Sequence, residues 1–311
     1  MRSLATALLI VAASAATGCE VAKRAVITPF YKPIDVPASR VIADVPYVEG
    51  PGAHPIKHKL DLFLPDTRGF TTVVFVHGGN WIQGDKSLHV AGADIYRNLG
   101  RFLARHGYGA AIVNYRLLPE VTWEAQPADL ASAVKWVHAN IARHGGDPNA
   151  MVLMGHSAGA QLASLVGVNP VWLSAAGVPR SAIRGVAAVS GAGYDIADER
   201  TYVLLGHSRQ WYARWFHTDT SPTWVHEASP VNYLDPSDPP FLIMFSTADP
   251  AGLRHQSRLL HERLTGAGIW NWMAPISGLN HSGIIIVMSR PDRAPGPVLL
   301  RFLDQLSQHP R

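Results

Sequence analysis

Five short apolar runs punctuate the chain, at residues 73–76, 110–113, 151–154, 186–189 and 241–245, with a weaker one at 270–276. They are too short for helices and do not alternate with polar residues, so they read as strands buried on both faces. Stretches of helical spacing lie between them. One is 127–142, where Leu130, Val134, Val137 and Ile141 fall on a single face. Continuous apolar strands separated by helices predict an α/β architecture, a mostly parallel sheet flanked by helices. Upstream, residues 41–64 read as two extended segments about the turn "EGPGAHP", and 57–64 alternates like a half-buried strand. Residues from about 197 to 228 break the rhythm. They carry Tyr202, Trp211, Tyr212, Trp215, Phe216 and Trp224 with no clear strand pattern, as expected of a small aromatic-rich insertion above the sheet.

The N-terminus follows a different logic. Arg2 precedes an apolar stretch, residues 4–13, and then small residues, the pattern of an export signal. The stretch falls short of the ~20 apolar residues that a membrane span needs. Ala16-Thr17-Gly18-Cys19 resembles a bacterial lipoprotein lipobox, in which the cysteine is acylated and becomes the new N-terminus, although Ala16 stands where leucine is usual. The alternative is an ordinary signal peptide cut after Ala13-Ser14-Ala15, giving a periplasmic or secreted protein. Cys19 is the one cysteine of the chain, so it has no partner for an internal disulfide, which favours lipidation. Residues 1–18 thus read as a signal peptide, 19–40 as a tether containing Pro29, Pro33 and Pro37, and 41–311 as the folded domain. The expected location is the bacterial cell envelope with a membrane-held lipid anchor. Glu20 after the cysteine implies, by resemblance to lipoprotein sorting, the outer membrane.

Composition narrows the chemistry. With 311 residues, 47% of them hydrophobic and 16% charged, the chain can bury an ample core. A net charge of +4 without basic runs argues against a nucleic-acid partner. The fifteen histidines are scattered and form no H-E-x-x-H pair, so neither a metal nor an organic cofactor is expected.

The residues that follow the apolar runs carry the candidate chemistry, because ligands in such sheets bind at the carboxyl ends of the strands. After 151–154 comes Gly155-His156-Ser157-Ala158-Gly159, a G-x-S-x-G between a strand and a helix. There it reads as a nucleophile elbow: the glycines clear space for a tight turn and Ser157 is thrust out at a helix N-terminus. His156 is expected to face away. After 73–76 comes His77-Gly78-Gly79-Asn80-Trp81, whose paired glycines suit an oxyanion hole, with His77 bracing the loop. A serine nucleophile needs a base, and the base needs an orienting acid, in the chain order serine, acid, histidine. Asp249 follows the run at 241–245 and His281 lies in "SGLNHSG" after the last run. Asp195, after 186–189, is the rival acid; strand placement favours Asp249.

On "HGGNW" (77–81), "GHSAG" (155–159), "STADP" (246–250) and "NHSG" (280–283), the chain resembles α/β-hydrolases of the esterase/lipase group related to hormone-sensitive lipase. More narrowly it resembles the H-G-G-x-W branch of small carboxylesterases and kynurenine formamidases. Asn80 departs from the lipase-like branch, where a third glycine is usual. The resemblance implies a serine carboxylesterase acting on small-molecule esters. It assigns the oxyanion donors to the backbone N–H groups of Gly79, Asn80 and Ala158. Trp81, with Trp211, Trp215 and Trp224, either lines a substrate pocket or packs a core. Two other functions stay open: an aryl formamidase using the same triad on a formamide, and a non-catalytic binding module on the hydrolase scaffold.

Overall fold

In the computed structural model, which describes residues 30–208, 213 and 223–308, every apolar run becomes a strand of one sheet. The strands are β1 (Val41–Pro46), β2 (Lys59–Phe63), β3 (Phe70–Val76), a short hairpin of β4 (His89–Val90) and β5 (Ala93–Asp94), β6 (Gly109–Val113), β7 (Gly146–His156), β8 (Ile183–Val189), β9 (Phe241–Ser246) and β10 (Asn271–Ile276). The α-helices are α1 (Ile95–Arg105), α2 (Ala125–Asn140), α3 (Ala158–Val168), α4 (Pro170–Ala176), α5 (Glu199–Leu205), α6 (Trp224–Glu227), α7 (Ala251–Gly266), α8 (Gly283–Val287) and α9 (Gly296–Gln308). The main sheet runs β1-β2-β6-β3-β7-β8-β9-β10. Strand β2 is antiparallel to both neighbours, and every pair from β6 to β10 is parallel.

The strands read as unbroken apolar runs because helices cover both faces. Val74, Val76, Leu153 and Ile243 point to one side, into a core with Leu130 and Val134 of α2, Leu162 of α3 and Leu260 of α7. Their neighbours Val73, Phe75, Val152 and Leu242 point to the other, against Leu99 and Phe102 of α1, Ile284 of α8 and Phe302 of α9. That is the period-2 alternation of strand side chains, with both sides dry.

Four details differ from the sequence reading. Strand β2 is buried from Leu60 to Phe63 instead of half-buried. The charge that mimicked a solvent face, Asp61, is fully buried and is neutralised by Lys86 Nζ at 2.8 Å and Arg97 Nε at 3.2 Å. Helix α2 starts at Ala125, and its end tightens into a 3-10 turn, Ile141–His144, stopped by Gly145 at φ 91°. Within the expected insertion, α5 is fastened to α7 through Gln256 Nε2 to Thr201 Oγ1 at 2.7 Å and His255 to Asp198 at 2.8 Å. Trp224 packs at the edge of the core, whereas Trp211, Tyr212, Trp215 and Phe216 lie outside the described residues, as do the signal segment and Cys19.

The fourth difference concerns the expected tether. From Phe30 onward it lies against the body. Phe30, Tyr31, Ile34 and Val36 pack on the α1 side of the core. Asn98 of α1 reads their backbone in both directions, accepting from Ile34 N at 2.8 Å and donating to Lys32 O at 2.9 Å. Prolines at 33 and 37 hid this docking, because they suppress any periodic pattern. Asn98 is 1% exposed, so Asn98→Ala removes two hydrogen bonds from backbone groups that lie part-buried against it. The expected cost is about 1–3 kcal/mol, read as a lower urea midpoint together with faster amide exchange at Ile34.

Candidate active site

The carboxyl ends of β3, β7 and β10 converge on one cavity, and the end of β9 backs it through Asp249, which meets His281. Strand β7 ends at His156 and α3 begins at Ala158, so Ser157 alone makes the turn. Its backbone sits at φ 57° and ψ −122°, a conformation that costs a non-glycine residue about 1–3 kcal/mol and is held only by its surroundings. Here those surroundings are tight. The Ser157 N–H continues the sheet by donating to Val189 O at 2.9 Å. A Cβ on Gly159 would lie 2.2 Å from Val76 O, and one on Gly155 would lie 2.0 Å from Gly159 O. No larger residue fits at either position, which explains the glycines flanking the serine.

Ser157 Oγ lies 3.1 Å from His281 Nε2, and His281 Nδ1 lies 3.0 Å from Asp249 Oδ1. The other Asp249 oxygen accepts from Ser190 Oγ at 2.6 Å and from Ser246 N at 2.9 Å. Burial by itself would raise the Asp249 pKa. The hydrogen bonds from His281 and Ser190, the charge of His281 and the Ser246 N–H outweigh it and hold the carboxyl below the usual carboxylate range. Ser246 also donates its hydroxyl to Leu279 O, tying the loop that bears His281 to the end of β9. Asp195 stands apart. Its Oδ1 accepts from Ala197 N at 3.0 Å and its backbone N–H donates to Gln256 at 2.9 Å, so it serves its own turn.

The loop after β3 takes three successive positive φ values, 124° at Gly79, 52° at Asn80 and 63° at Trp81. Gly78, Gly79 and Asn80 line the cavity beside Ser157, which is about 530 Å³ in volume. Ala158 is the first residue of α3, so its N–H has no partner within the helix. Trp81 is not among the cavity residues. It is 3% exposed, its indole donates to Gln161 at 3.0 Å, and its carbonyl accepts from Leu118 N at 3.0 Å and Gln126 Nε2 at 2.8 Å. These bonds place it as a brace that fixes the strained loop. His77 is fully buried, bonded through Nδ1 to Gly78 O at 2.7 Å and stacked on Tyr115.

The described cavity wall is apolar on one side, formed by Leu88 and Val90 of β4 and its approach, Tyr96 of α1, and Ile285 and Ile286 of α8. No Asp, Glu, Lys or Arg side chain lines it among the described residues. Nor, among those residues, is any group of three or more His, Cys, Asp or Glu placed to hold a metal ion, and no helix is long and apolar enough to cross a membrane. Sequence reasoning passed over Ser190 and Ser246, although both sit at strand ends. It also expected His156 to face away. Instead His156 lines the cavity, with its ring 4.9 Å from that of His281.

Two of these histidines make the fold acid-sensitive. Burial pushes His77 down to about 4, and burial with the neighbouring His281 pushes His156 down to about 3, against an ordinary 6.5. Both stay neutral in the folded chain and take protons once it unfolds. Their contribution is therefore whole above pH 6.5 and is lost as pH falls from there toward 4 and 3. The expected loss is about 1.4 kcal/mol per histidine per pH unit across that window. Urea midpoints measured at pH 7, 6 and 5 check this, and a midpoint flat across them contradicts it.

The chain is similar to a known protein family and to several known proteins. The BD-FAE family model matches residues 60–264. Among curated proteins, Esterase LipQ of Mycobacterium tuberculosis is 29% identical over 235 residues, covering 73% of this chain and 53% of that protein. Esterase LipC of the same organism is 30% identical over 207 residues, covering 64% and 49%. The chain thus spans about half the length of these curated relatives. Among solved structures, Esterase B from Lactobacillus rhamnosis superposes with a TM-score of 0.71 at 22% identity, covering 99% of this chain and 97% of that one. The hyperthermophilic esterase from Pyrobaculum calidifontis gives 0.69 at 22% identity, covering 93% and 90%. The fold is that of the α/β-hydrolases.

Proposed function

The chain belongs to the BD-FAE family, and from that premise we propose that it is a serine esterase hydrolysing carboxylic esters of small, uncharged molecules. The observation that carries the reading is the unbroken series Ser157 Oγ, His281 Nε2, His281 Nδ1 and Asp249 Oδ1, with links of 3.1 and 3.0 Å, opening on a cavity that no Asp, Glu, Lys or Arg side chain lines among the described residues. In this reading Ser157 attacks the acyl carbonyl while His281 takes its proton, and Asp249 orients His281 and stabilises its charged form. The N–H groups of Gly79, Asn80 and Ala158 hold the tetrahedral oxyanion. His281 then protonates the leaving alcohol, and water releases the acyl group by the same steps in reverse. The relatives' names, esterase in each case, support the same reaction.

A panel of p-nitrophenyl esters of rising acyl length, with N-formylkynurenine alongside, tests it. Esters should be turned over with the higher kcat/KM. A preference for the formamide would make the protein an aryl formamidase, and no turnover of either class would leave a binding module.

The envelope location belongs to the same proposal. It rests on the signal-length apolar segment, the Gly18-Cys19 that follows it, and the absence of any other cysteine. Several acyl chains on Cys19 would hold the domain at a membrane, where one alone binds only marginally. Mass spectrometry of the N-terminal peptide from a lipoprotein-processing bacterium, with Cys19→Ser in parallel, decides between an acylated Cys19 and an unmodified start at Ala16.

A further inference from the structure

His156 stands next to the nucleophile, yet the reaction written above does not use it. Its Nε2 lies 3.0 Å from the backbone carbonyl of His281, 125 residues away in the chain. A carbonyl only accepts, so Nε2 carries the proton and donates. Nδ1 is then the unprotonated nitrogen. It is buried with no partner among the described residues, on the Gly78 side of the ring, 3.3 Å from where a Cβ on Gly78 would sit. The ring is 6% exposed and lies tilted against that of His281.

We propose that His156 is a positioning residue for the base: its Nε2–H fixes the His281 carbonyl, and with it the direction in which the His281 imidazole leaves the backbone. The inference rests on the reading of Ser157 and His281 as nucleophile and base. Its force comes from what else holds that loop. His281 lies on the connection between β10 and α8, where Ser277 and Gly278 are exposed and Gly278 takes φ 76°. The His281 side chain is 30% exposed, so it has room to swing toward solvent. Asp249 fixes one ring nitrogen, and Ser246 fixes Leu279, two residues upstream. Asp249 on Nδ1 and the Ser157 hydroxyl on Nε2 hold the tip of the side chain, but neither fixes the backbone that carries it. The bond at the His281 carbonyl supplies that backbone anchor. Burial keeps His156 neutral down to about pH 3, so the tie does not change with pH above that. A displacement of about 1 Å in a reacting group can lower a rate by about 10²-fold, which sets the scale of the effect.

Two substitutions separate positioning from packing. His156→Leu fills similar space without a donor, and His156→Gln places an amide N–H at a reach similar to Nε2. Each is assayed on p-nitrophenyl butyrate, with rates counted per active site titrated by a p-nitrophenyl phosphonate. The Leu variant should lose about 10- to 100-fold in kcat with KM nearly unchanged, and the Gln variant should recover most of that loss. If Leu matches the wild type per titrated site, or if Leu and Gln fall equally, the inference is overturned. Should His156→Leu fail to fold, long-range 1H–15N spectra of the unaltered protein serve instead. They should show His156 as the Nε2–H tautomer from pH 5 to 8, and an Nδ1–H tautomer would overturn the inference equally well. A wild-type protein that the phosphonate does not label would instead sink the reading of Ser157, a failure distinct from this one.

Discussion

Ser157→Ala should lower kcat for ester hydrolysis by on the order of 10⁴–10⁶ and leave the fold unchanged. Both halves of that expectation follow from the elbow. Ser157 is 9% exposed and faces the cavity, and its hydroxyl contacts His281 Nε2 at 3.1 Å. Removing it deletes the attacking atom without opening a hole in either core. The strained backbone at φ 57° is as costly for alanine as for serine, because the clash comes from Cβ, which both residues carry. The turn is enforced from outside, by the Val189 carbonyl and by the close approach of Gly159 to β3, and these contacts do not involve Oγ. Circular dichroism and thermal unfolding should therefore match the wild type. The residual rate would come from oxyanion donors and substrate binding alone. More than a tenth of the wild-type activity in a clean preparation would contradict the mechanism.

Asp249→Asn should cost about 10⁴-fold in kcat, the scale seen when the acid of a serine triad becomes an amide. The hydrogen bonds around Asp249 explain why. The carboxylate accepts from three donors: His281 Nδ1 on one oxygen, and Ser190 Oγ and Ser246 N on the other. An amide has one acceptor oxygen. If that oxygen keeps Ser190 and Ser246, its NH₂ group faces His281 Nδ1 and forces the proton onto Nε2. His281 can then no longer take the proton of Ser157. If the amide flips, its NH₂ faces two donors in a buried site and the end of β9 loses its bonds. The first arrangement disarms the base; the flipped one keeps its tautomer but turns an NH₂ toward the Ser246 N–H and leaves no negative charge to stabilise protonated His281, while Ser157 stays in place in both. Asp195→Asn serves as the contrast, because its carboxylate answers to Ala197 N and, at 3.7 Å, to the exposed Arg263. That pair is weak, so kcat should stay within about threefold of the wild type. The opposite ranking would move the acid to the end of β8.

Much of this was legible in the sequence, for a definite reason. Strands buried on both faces leave unbroken apolar runs, and the residues just after them are where a parallel sheet presents its chemistry. Ser157 and Asp249 each follow such a run, as do Gly78 and Gly79, whereas His281 follows the weaker run of the partly exposed edge strand β10. What escaped the reading depends on which way a side chain turns and on what it meets from a distant part of the chain. His156 was expected to point away because the elbow is tight, yet the same tightness aims it at His281. Trp81 suggested a pocket wall by its position, but the positive φ values of the loop turn it inward to Gln161. Ser190 is an ordinary serine in sequence and becomes a ligand of Asp249 only because β8 and β9 are neighbours in the sheet. The docking of residues 30–36 combines apolar packing with two bonds to one buried side chain, Asn98, and polar pairs of that kind leave no periodic trace.

The central claim is that Ser157 is the nucleophile of an acyl-transfer site, and the most direct measurement is covalent. The protein is treated with a p-nitrophenyl alkylphosphonate, residual esterase activity is followed, and the digested chain is mapped by mass spectrometry. The account predicts one phosphonyl group per chain, on the peptide bearing Ser157, accumulating in step with the loss of activity and absent from Ser157→Ala. A label on another residue that tracks inactivation, or undiminished hydrolysis by a chain fully labelled at Ser157, would contradict it.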